Sequence, residues 1–204
     1  MLKSKDNIED YIIVQNTISK DLCKTMIDEC NKREWRKHTW NNYTTGTNSS
    51  EATKELDVMS CTQDQQIRIT PSLVKALDEY QRLCSWEGDK TGGQWLSKFS
   101  PIRFNRYNTG TMMRKHYDHI HSIFDGKMKG VPIVSIVGNL NEDYEGGEFD
   151  LEIYKPETDC RYETLKLKRG SAIFFQSDVW HRVRPVKSGV RKSIVAWFYG
   201  PPYN

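Results

Sequence analysis

The segment VWHRVRPVKSGVRKSIVAWFY, residues 179 to 199, alternates apolar with polar or charged side chains before a central interruption and continues after it into the apolar run IVAWFY. Period-two alternation is typical of β-strands, because successive side chains of a strand point to opposite faces of a sheet. The interruption, Pro185 to Gly189, is rich in residues that favour turns. The segment therefore predicts two strands, 179–186 and 191–199, joined in a hairpin that lays them side by side.

Short runs of the same kind extend back to about residue 100. Turn signals separate them, and no helical pattern lies between them. Many short strands in succession predict an antiparallel sandwich or barrel. The runs are 102–107, 131–140, 147–154, 163–168 and 171–175.

The N-terminal half contains one predicted strand, 11–16, and two predicted helices. Ser19 is a suitable N-cap for the first helix, and the second is expected to begin with Thr70 as N-cap and Pro71 at its first position. Both helices have an apolar stripe on one face, which predicts that they pack on the outside of one sheet. The stripes comprise Leu22, Met26 and Cys30 in the first helix, and Leu73, Leu77, Tyr80 and Cys84 in the second.

Residues 35–57, between the helices, are rich in Asn, Thr and Ser and contain few aliphatic side chains. This composition predicts a long polar loop or an edge segment. Two interpretations remain open: a loop that folds over a substrate, or a mobile surface insertion. His38, isolated in this segment, is expected to be a surface residue.

The bulk composition limits the classes of function. With 204 residues and 37% hydrophobic content, the chain can bury one sizeable core, so a single domain spanning 1–204 is expected. The net charge of +3 gives no basic footprint of a nucleic-acid-binding protein. No apolar run approaches the length of a membrane span, and five scattered cysteines without a C-x-x-C pair favour reduced thiols. We therefore expect a cytoplasmic protein without nucleic-acid or membrane partners.

The stretch HYDHIH, residues 116 to 121, concentrates three of the five histidines of the chain. In a strand, His116 and Asp118 point to the same side, and His181 lies on a later predicted strand. Two histidines and one carboxylate form a facial ligand set that suits non-haem Fe(II) and leaves positions open. His119 and His121 are expected in the loop that leaves the metal strand, because a His116/His121 pair would leave His181 without a role.

Arg191 and Ser193 fall on one face of the last predicted strand. An arginine can grip a carboxylate at two points, and a neighbouring hydroxyl can add a third hydrogen bond. A metal with open positions beside such a clamp suits a diacid that binds the metal at one end and the clamp at the other. The obvious candidate is 2-oxoglutarate.

In order and spacing, His116-x-Asp118, His181 and Arg191-x-Ser193 resemble the motif set of the Fe(II)/2-oxoglutarate-dependent dioxygenases. The flanking stretches FNRYNTGTMMRKHYDH, GGEFDL, RGSAIFF and WHRVRPVKSGVRKSIVAWF are similar to the prolyl 4-hydroxylase-like branch. The resemblance implies a mainly β fold, a double-stranded β-helix of the jelly-roll or cupin-like type, with 100–200 as the catalytic core and 1–99 as helical support. It also implies that Tyr107 lies near 2-oxoglutarate and iron.

The same resemblance implies Fe(II), 2-oxoglutarate and O2 as cofactor and cosubstrates, with ascorbate as an auxiliary reductant. Hydroxylation of a C–H bond would be coupled to decarboxylation of 2-oxoglutarate to succinate. The leading hypothesis for the substrate is a prolyl residue of a peptide or protein. The alternatives are a free amino acid or other small molecule and, ranked lower, a non-catalytic metal-binding module. Demethylation of nucleic-acid bases also ranks low. Members of that branch are expected to carry a further arginine well downstream of the carboxylate clamp, and no Arg or Lys follows Lys192 here.

Overall fold

The structure, a computed structural model, describes residues 11–42, 45–51, 53–83, 98–118, 132–153 and 162–199. Within these ranges the chain forms two helices and sixteen strands. The helices are α1 (Lys20–Cys30) and α2 (Gln63–Leu83). The strands are β1 (Tyr11–Val14), β2 (Arg36–Lys37), β3 (Trp40–Asn42), β4 (Thr47–Ser49), β5 (Asp57–Ser60), β6 (Lys98–Phe99), β7 (Arg103–Tyr107), β8 (Met113–His116), β9 (Pro132–Asn139), β10 (Tyr144–Gly146), β11 (Phe149–Leu151), β12 (Glu163–Leu165), β13 (Ala172–Gln176), β14 (His181–Val183), β15 (Val186–Gly189) and β16 (Arg191–Tyr199).

The largest sheet, here called the major sheet, is antiparallel and has the strand order β1-β13-β9-β16-β7-β5-β2, with β6 also paired to β16. Strands from both halves of the chain take part, since β5 pairs with β7 and β1 pairs with β13. The minor sheet has the order β12-β11-β14-β8. This is the predicted double-stranded β-helix, in which two antiparallel sheets face each other.

Successive side chains of β16 point to opposite faces of the major sheet. Ile194, Ala196 and Phe198 belong to the cluster that packs against α1 and α2. Val195 belongs to a second cluster, shared with the minor sheet, and Trp197 packs against it. The helices therefore cover the outer face of the major sheet, as the apolar stripes predict, and the inner face looks across to the minor sheet. Neither helix in the described ranges combines the length and apolar composition that a bilayer span requires.

Helix α2 begins eight residues before the predicted start. Thr62 and Gln65 form a capping box. The backbone N–H of Gln65 donates to Thr62 Oγ1 over 3.2 Å, and the backbone N–H of Thr62 donates to Gln65 Oε1 over 3.0 Å. Pro71 lies inside the helix, so the prediction of Pro71 as its first residue is wrong. Pro71 is exposed, as is Ile67 one turn earlier, and water can solvate the carbonyl that the missing proline N–H leaves without a partner.

The predicted hairpin between 179–186 and 191–199 is also wrong. β14 pairs with β8 and β11 in the minor sheet, whereas β16 lies in the major sheet. Between them, the predicted turn contains β15, which pairs with β10. His181 and Arg191 therefore belong to opposite sheets, and their side chains approach from two sides.

The segment 35–57 contains β2, β3 and β4 and the first residue of β5, so much of it is regular. β2 pairs with β5 at the end of the major sheet, which agrees with the edge interpretation, and β3 pairs with β4. His38 lies between β2 and β3 and is buried, so the expectation of a surface histidine is wrong.

On the outside of the minor sheet, the Asp150 side chain is 0% exposed and accepts hydrogen bonds from two arginines and a threonine. Burial alone would raise the pKa of Asp150, but Arg184, Arg182 and Thr164 outweigh burial and hold the pKa below its ordinary value. We expect Asp150→Asn to lower the free energy of unfolding by about 2 kcal/mol at pH 7, a moderate figure because the arginines are partly exposed.

The pH dependence has a definite sign. Because the folded pKa is depressed, the carboxylate stabilises the fold above the unfolded value, and this contribution is lost as pH falls through the folded pKa. The difference in the free energy of unfolding between wild type and Asp150→Asn should therefore shrink below about pH 4. Urea unfolding at several pH values measures it, with Asp28→Asn, an exposed carboxylate of α1, as the control. Equal stability of wild type and Asp150→Asn at pH 7 would contradict this account.

Candidate active site

His116, Asp118 and His181 come together between the two sheets. His116 ends β8, Asp118 lies two residues later, and His181 begins β14, which pairs with β8 so that His181 is opposite His116. Their potential ligand atoms all lie within 4.8 Å of one another. Asp118 Oδ1 is 3.5 Å from His116 Nε2, and Asp118 Oδ2 is 3.7 Å from His181 Nε2. Three ligand atoms from one side can bind a single cation and leave its other side open.

Backbone carbonyls fix the tautomer of both imidazoles. His116 Nδ1 is 2.8 Å from the Arg114 carbonyl oxygen, and His181 Nδ1 is 2.9 Å from the Val179 carbonyl oxygen. A carbonyl oxygen only accepts, so each Nδ1 carries the proton and each Nε2 keeps its lone pair for a metal. Burial lowers the pKa of His181 to about 4, so this imidazole is neutral near pH 7. The donor set thus fits a divalent metal ion.

Two serines orient the carboxylate. Ser135 on β9 donates to Asp118 Oδ2 over 2.7 Å, and its Oγ is 2.9 Å from the Oγ of Ser177. The Asp118 amide donates to the Ser177 carbonyl over 2.8 Å. Burial alone would raise the pKa of Asp118, but contacts with His116, His181 and Trp197 outweigh burial and hold the pKa well below its ordinary value. Asp118 is therefore an oriented, ionised carboxylate.

Arg191 is among the largest fully buried side chains in the described residues, with 1% exposure. Its guanidinium lies 5.0 Å from the Tyr107 ring centroid, and Nη1 donates to Ser193 Oγ over 3.3 Å. No carboxylate in the described ranges pairs with it. A buried cation without a counter-ion is costly unless a ligand supplies the anion. The structure thus brings Arg191, Ser193 and Tyr107 together, as the sequence predicts, in a site suited to a carboxylate.

The turn after β10 allows the backbone to pass close to this arginine. Gly147 has a φ of +64°, and a Cβ placed there would lie 3.1 Å from Arg191 Cδ. A side chain at this position would be strained and would crowd the arginine. The second glycine of GGEFD therefore has a direct role in shaping the pocket.

Sequence reasoning missed a group of side chains that packs against His116. The Trp40 ring lies 5.3 Å from the His116 ring, and His38 lies 4.8 Å from Trp40, both edge to face. Glu55 is buried and accepts a hydrogen bond from Trp40 Nε1 over 2.8 Å. These residues come from the polar 35–57 segment, and periodicity gave no signal for them because their contacts are tertiary.

The other sequence expectations near the metal cluster have separate outcomes. His119 and His121 lie outside the described residues. Trp180 is 41% exposed and packs edge to face on Tyr117. Tyr117 follows His116 in the sequence, and Trp180 precedes His181. Both side chains point away from the metal side, as expected when successive side chains of an extended chain point to opposite faces.

Fold and site together define a class of protein: a double-stranded β-helix with a two-histidine, one-carboxylate centre facing a buried cation. Residues 102–199 match the family model described as the 2OG-Fe(II) oxygenase superfamily. This matched part, just under half of the chain, is similar to that superfamily. The superfamily uses Fe(II), 2-oxoglutarate and O2.

Among the relatives, a PKHD-type hydroxylase of Crocosphaera subtropica is 36% identical over 100 residues, which cover 48% of this chain and 42% of the relative. One from Acaryochloris marina is 35% identical over 96 residues, 47% of this chain and 40% of the relative. The matched region is thus less than half of each relative's length. A crystal structure of a Pseudomonas putida prolyl-4-hydroxylase is similar with a TM-score of 0.64 and 20% identity, covering 96% of both chains.

A prolyl hydroxylase from Trichoplax adhaerens, solved in complex with a hypoxia inducible factor peptide fragment, has a TM-score of 0.68 and 14% identity. This similarity covers 95% of the present chain and 85% of the other. At such low identity, both structural similarities establish the fold alone. They confirm the expected jelly roll with helices on one sheet.

Proposed function

We propose that this protein is an Fe(II)- and 2-oxoglutarate-dependent oxygenase that hydroxylates a prolyl residue of a peptide or protein. His116, Asp118 and His181 would hold the iron, and Arg191, Ser193 and Tyr107 would hold 2-oxoglutarate. The observation that carries the proposal is the buried Arg191 guanidinium, which no carboxylate of the described ranges pairs with, on the sheet opposite His116 and His181. One diacid can bind the metal with one end and satisfy this cation with the other.

The bound iron would supply oxygen activation coupled to oxidative decarboxylation of 2-oxoglutarate to succinate. The side chains of the protein orient the reactants and exclude water. Arg191 and Ser193 fix the far carboxylate of the cosubstrate, and the Tyr107 ring forms one wall of its pocket. Phe149 and Phe175 pack around His181 with ring centroids at 5.6 Å and 4.8 Å, and so shield this side of the centre from water.

A peptide substrate is supported by one of the structural neighbours. The matched relatives are named PKHD-type hydroxylases, and the Trichoplax adhaerens neighbour binds a peptide fragment. Part of the 35–57 segment also contacts the metal cluster, since Trp40 packs against His116. Because it lies beside His116, the 35–57 segment can contact an extended peptide substrate that approaches the iron.

The test is incubation of purified protein with Fe(II), ascorbate, 2-oxoglutarate and prolyl peptide libraries. We expect succinate together with a mass increase of one oxygen on proline, and neither product from His181→Ala. Succinate without hydroxyproline, accompanied by oxidation of a free amino acid, would replace the peptide substrate with a small molecule. No succinate under any condition would instead favour a non-catalytic metal-binding module.

A further inference from the structure

Arg103 is a second cation on the inner face of the major sheet. It lies on β7, four residues before Tyr107, so the two side chains point to the same face of the strand. Across the sheet, β16 places Arg191 opposite Tyr107 and Val195 opposite Arg103. Arg103 and Arg191 are therefore separated along the sheet: Arg103 begins β7, and Arg191 lies beside the residue that ends it.

A row of polar contacts connects the two ends. Arg103 Nε donates to Asn105 Oδ1 over 3.1 Å, and Asn105 Nδ2 donates to the Tyr107 hydroxyl over 3.4 Å. The Tyr107 ring then lies 5.0 Å from the Arg191 guanidinium carbon. Asn105 thus binds Arg103 through Nε, and within the described ranges neither terminal nitrogen of that guanidinium has a hydrogen-bond partner.

The surroundings of Arg103 place it on the iron side of this row. Its guanidinium carbon lies 5.5 Å from the Trp197 ring centroid, and Trp197 is opposite Ser135, which donates to Asp118 Oδ2 over 2.7 Å. Burial lowers the pKa of Arg103, and the opposing influence of Tyr107 and Asp118 is smaller. The arginine stays protonated at any physiological pH.

Arg103 has no acidic partner in the described ranges, although other arginines of the same chain do. Arg106, on the other face of β7, is bound by Asp57 at 2.8 Å, and Arg182 is bound by Asp150 at 2.8 Å. Arg103 is neither fully buried nor fully exposed. A partly desolvated guanidinium with free donors beside a reaction centre is suited to bind an anion from outside the chain.

We propose that Arg103 is a specificity-determining residue that binds a carboxylate of the substrate next to the carbon that is oxidised. This inference rests on the proposed function, because 2-oxoglutarate is expected to occupy the Arg191 end of the row and leave Arg103 for the substrate. The carboxylate can come from an acidic side chain flanking the prolyl residue of a peptide, or from the α-carboxylate of a free amino acid.

The experiment measures binding by calorimetry to protein loaded with Fe(II) and 2-oxoglutarate under anaerobic conditions. Two matched pairs of probes separate the sources: acetylated, amidated Ala-Asp-Pro-Asp-Ala against its Asn counterpart, and proline against prolinamide. We expect wild type to prefer the acid over the amide in at least one pair by about tenfold, the size of one charge-assisted hydrogen bond. The preference should vanish in Arg103→Met and persist in part in Arg103→Lys.

Lys75→Met is the control, because Lys75 is exposed on α2 and its loss changes the net charge equally. It should keep the full preference. The proposal is overturned if wild type prefers the acid in neither pair, or if Arg103→Met keeps the preference. It is also overturned if Arg103→Met weakens binding of 2-oxoglutarate itself, since Arg103 would then serve the cosubstrate.

The same samples, exposed to air, distinguish this inference from the proposed function. An acid preference that depends on Arg103, without any hydroxyproline, supports the anion site and rejects prolyl hydroxylation. Hydroxyproline formed equally from the Asp and Asn peptides by wild type and Arg103→Met supports the reaction and rejects the anion site.

Discussion

Asp118→Ala is expected to weaken Fe(II) binding by at least about a hundredfold and to reduce succinate formation to background. Removing an outer-shell partner of a metal ligand already costs 10- to 100-fold in affinity, and Asp118 is proposed to be a ligand itself. Two neutral imidazoles would remain, without the carboxylate that balances the charge of the metal. Metal titration followed by calorimetry measures the affinity, and succinate release measures the reaction.

Asp178→Ala is the matched control, because Asp178 is an exposed carboxylate in the turn before β14 and its loss changes the net charge equally. It should bind Fe(II) as wild type does. Thermal unfolding of all three proteins without metal shows whether Asp118→Ala is folded. A folded Asp118→Ala variant with wild-type Fe(II) affinity would mean that the metal binds elsewhere.

Arg191→Met is expected to raise the KM for 2-oxoglutarate by about a hundredfold, because two charge-assisted hydrogen bonds to the far carboxylate are lost. The structure also predicts its effect on stability. Since Arg191 has no acidic partner in the described ranges, an apolar side chain of similar length removes an uncompensated buried charge. Without 2-oxoglutarate, the melting temperature should therefore stay the same or rise.

Lys192→Met tests whether the effect depends on position. Lys192 is adjacent on β16 and points to the opposite face, so its loss should leave the KM for 2-oxoglutarate unchanged. A purely structural Arg191 would give the opposite pattern, with a lower melting temperature and an unchanged KM. Steady-state kinetics and thermal unfolding on the same preparations distinguish the two.

The sequence predicts the strands well where side chains alternate, as in β7, or where a short apolar run stands between turn signals, as in β13 and β16. It predicts the metal cluster because two ligands lie two residues apart and the third has a distinctive side chain. It gives the wrong partner for β14, since local turn residues favour a hairpin and cannot show that β15 pairs with β10. Pairing between strands distant in sequence depends on the assembled sheets, which no local pattern encodes.

Two further errors have similar causes. A proline is a frequent first residue of a helix, yet the capping box at Thr62 and Gln65 starts α2 earlier and the exposed position of Pro71 makes its missing bond tolerable. Trp40 and Glu55 have no distinguishing pattern in a polar segment. Their proximity to His116 comes from the packing of that segment against β8, which only the structure describes.

The alternation along β7 has a consequence for how this protein can change over evolution. Phe104 points toward the helices and contributes to stability, whereas Arg103 and Asn105 point to the opposite face of the strand, which looks toward the proposed active site. Selection on substrate preference can therefore act on one set of positions while selection on folding acts on the set between them. A scaffold of this kind can acquire new substrates by single substitutions at position 103 without first being stabilised elsewhere.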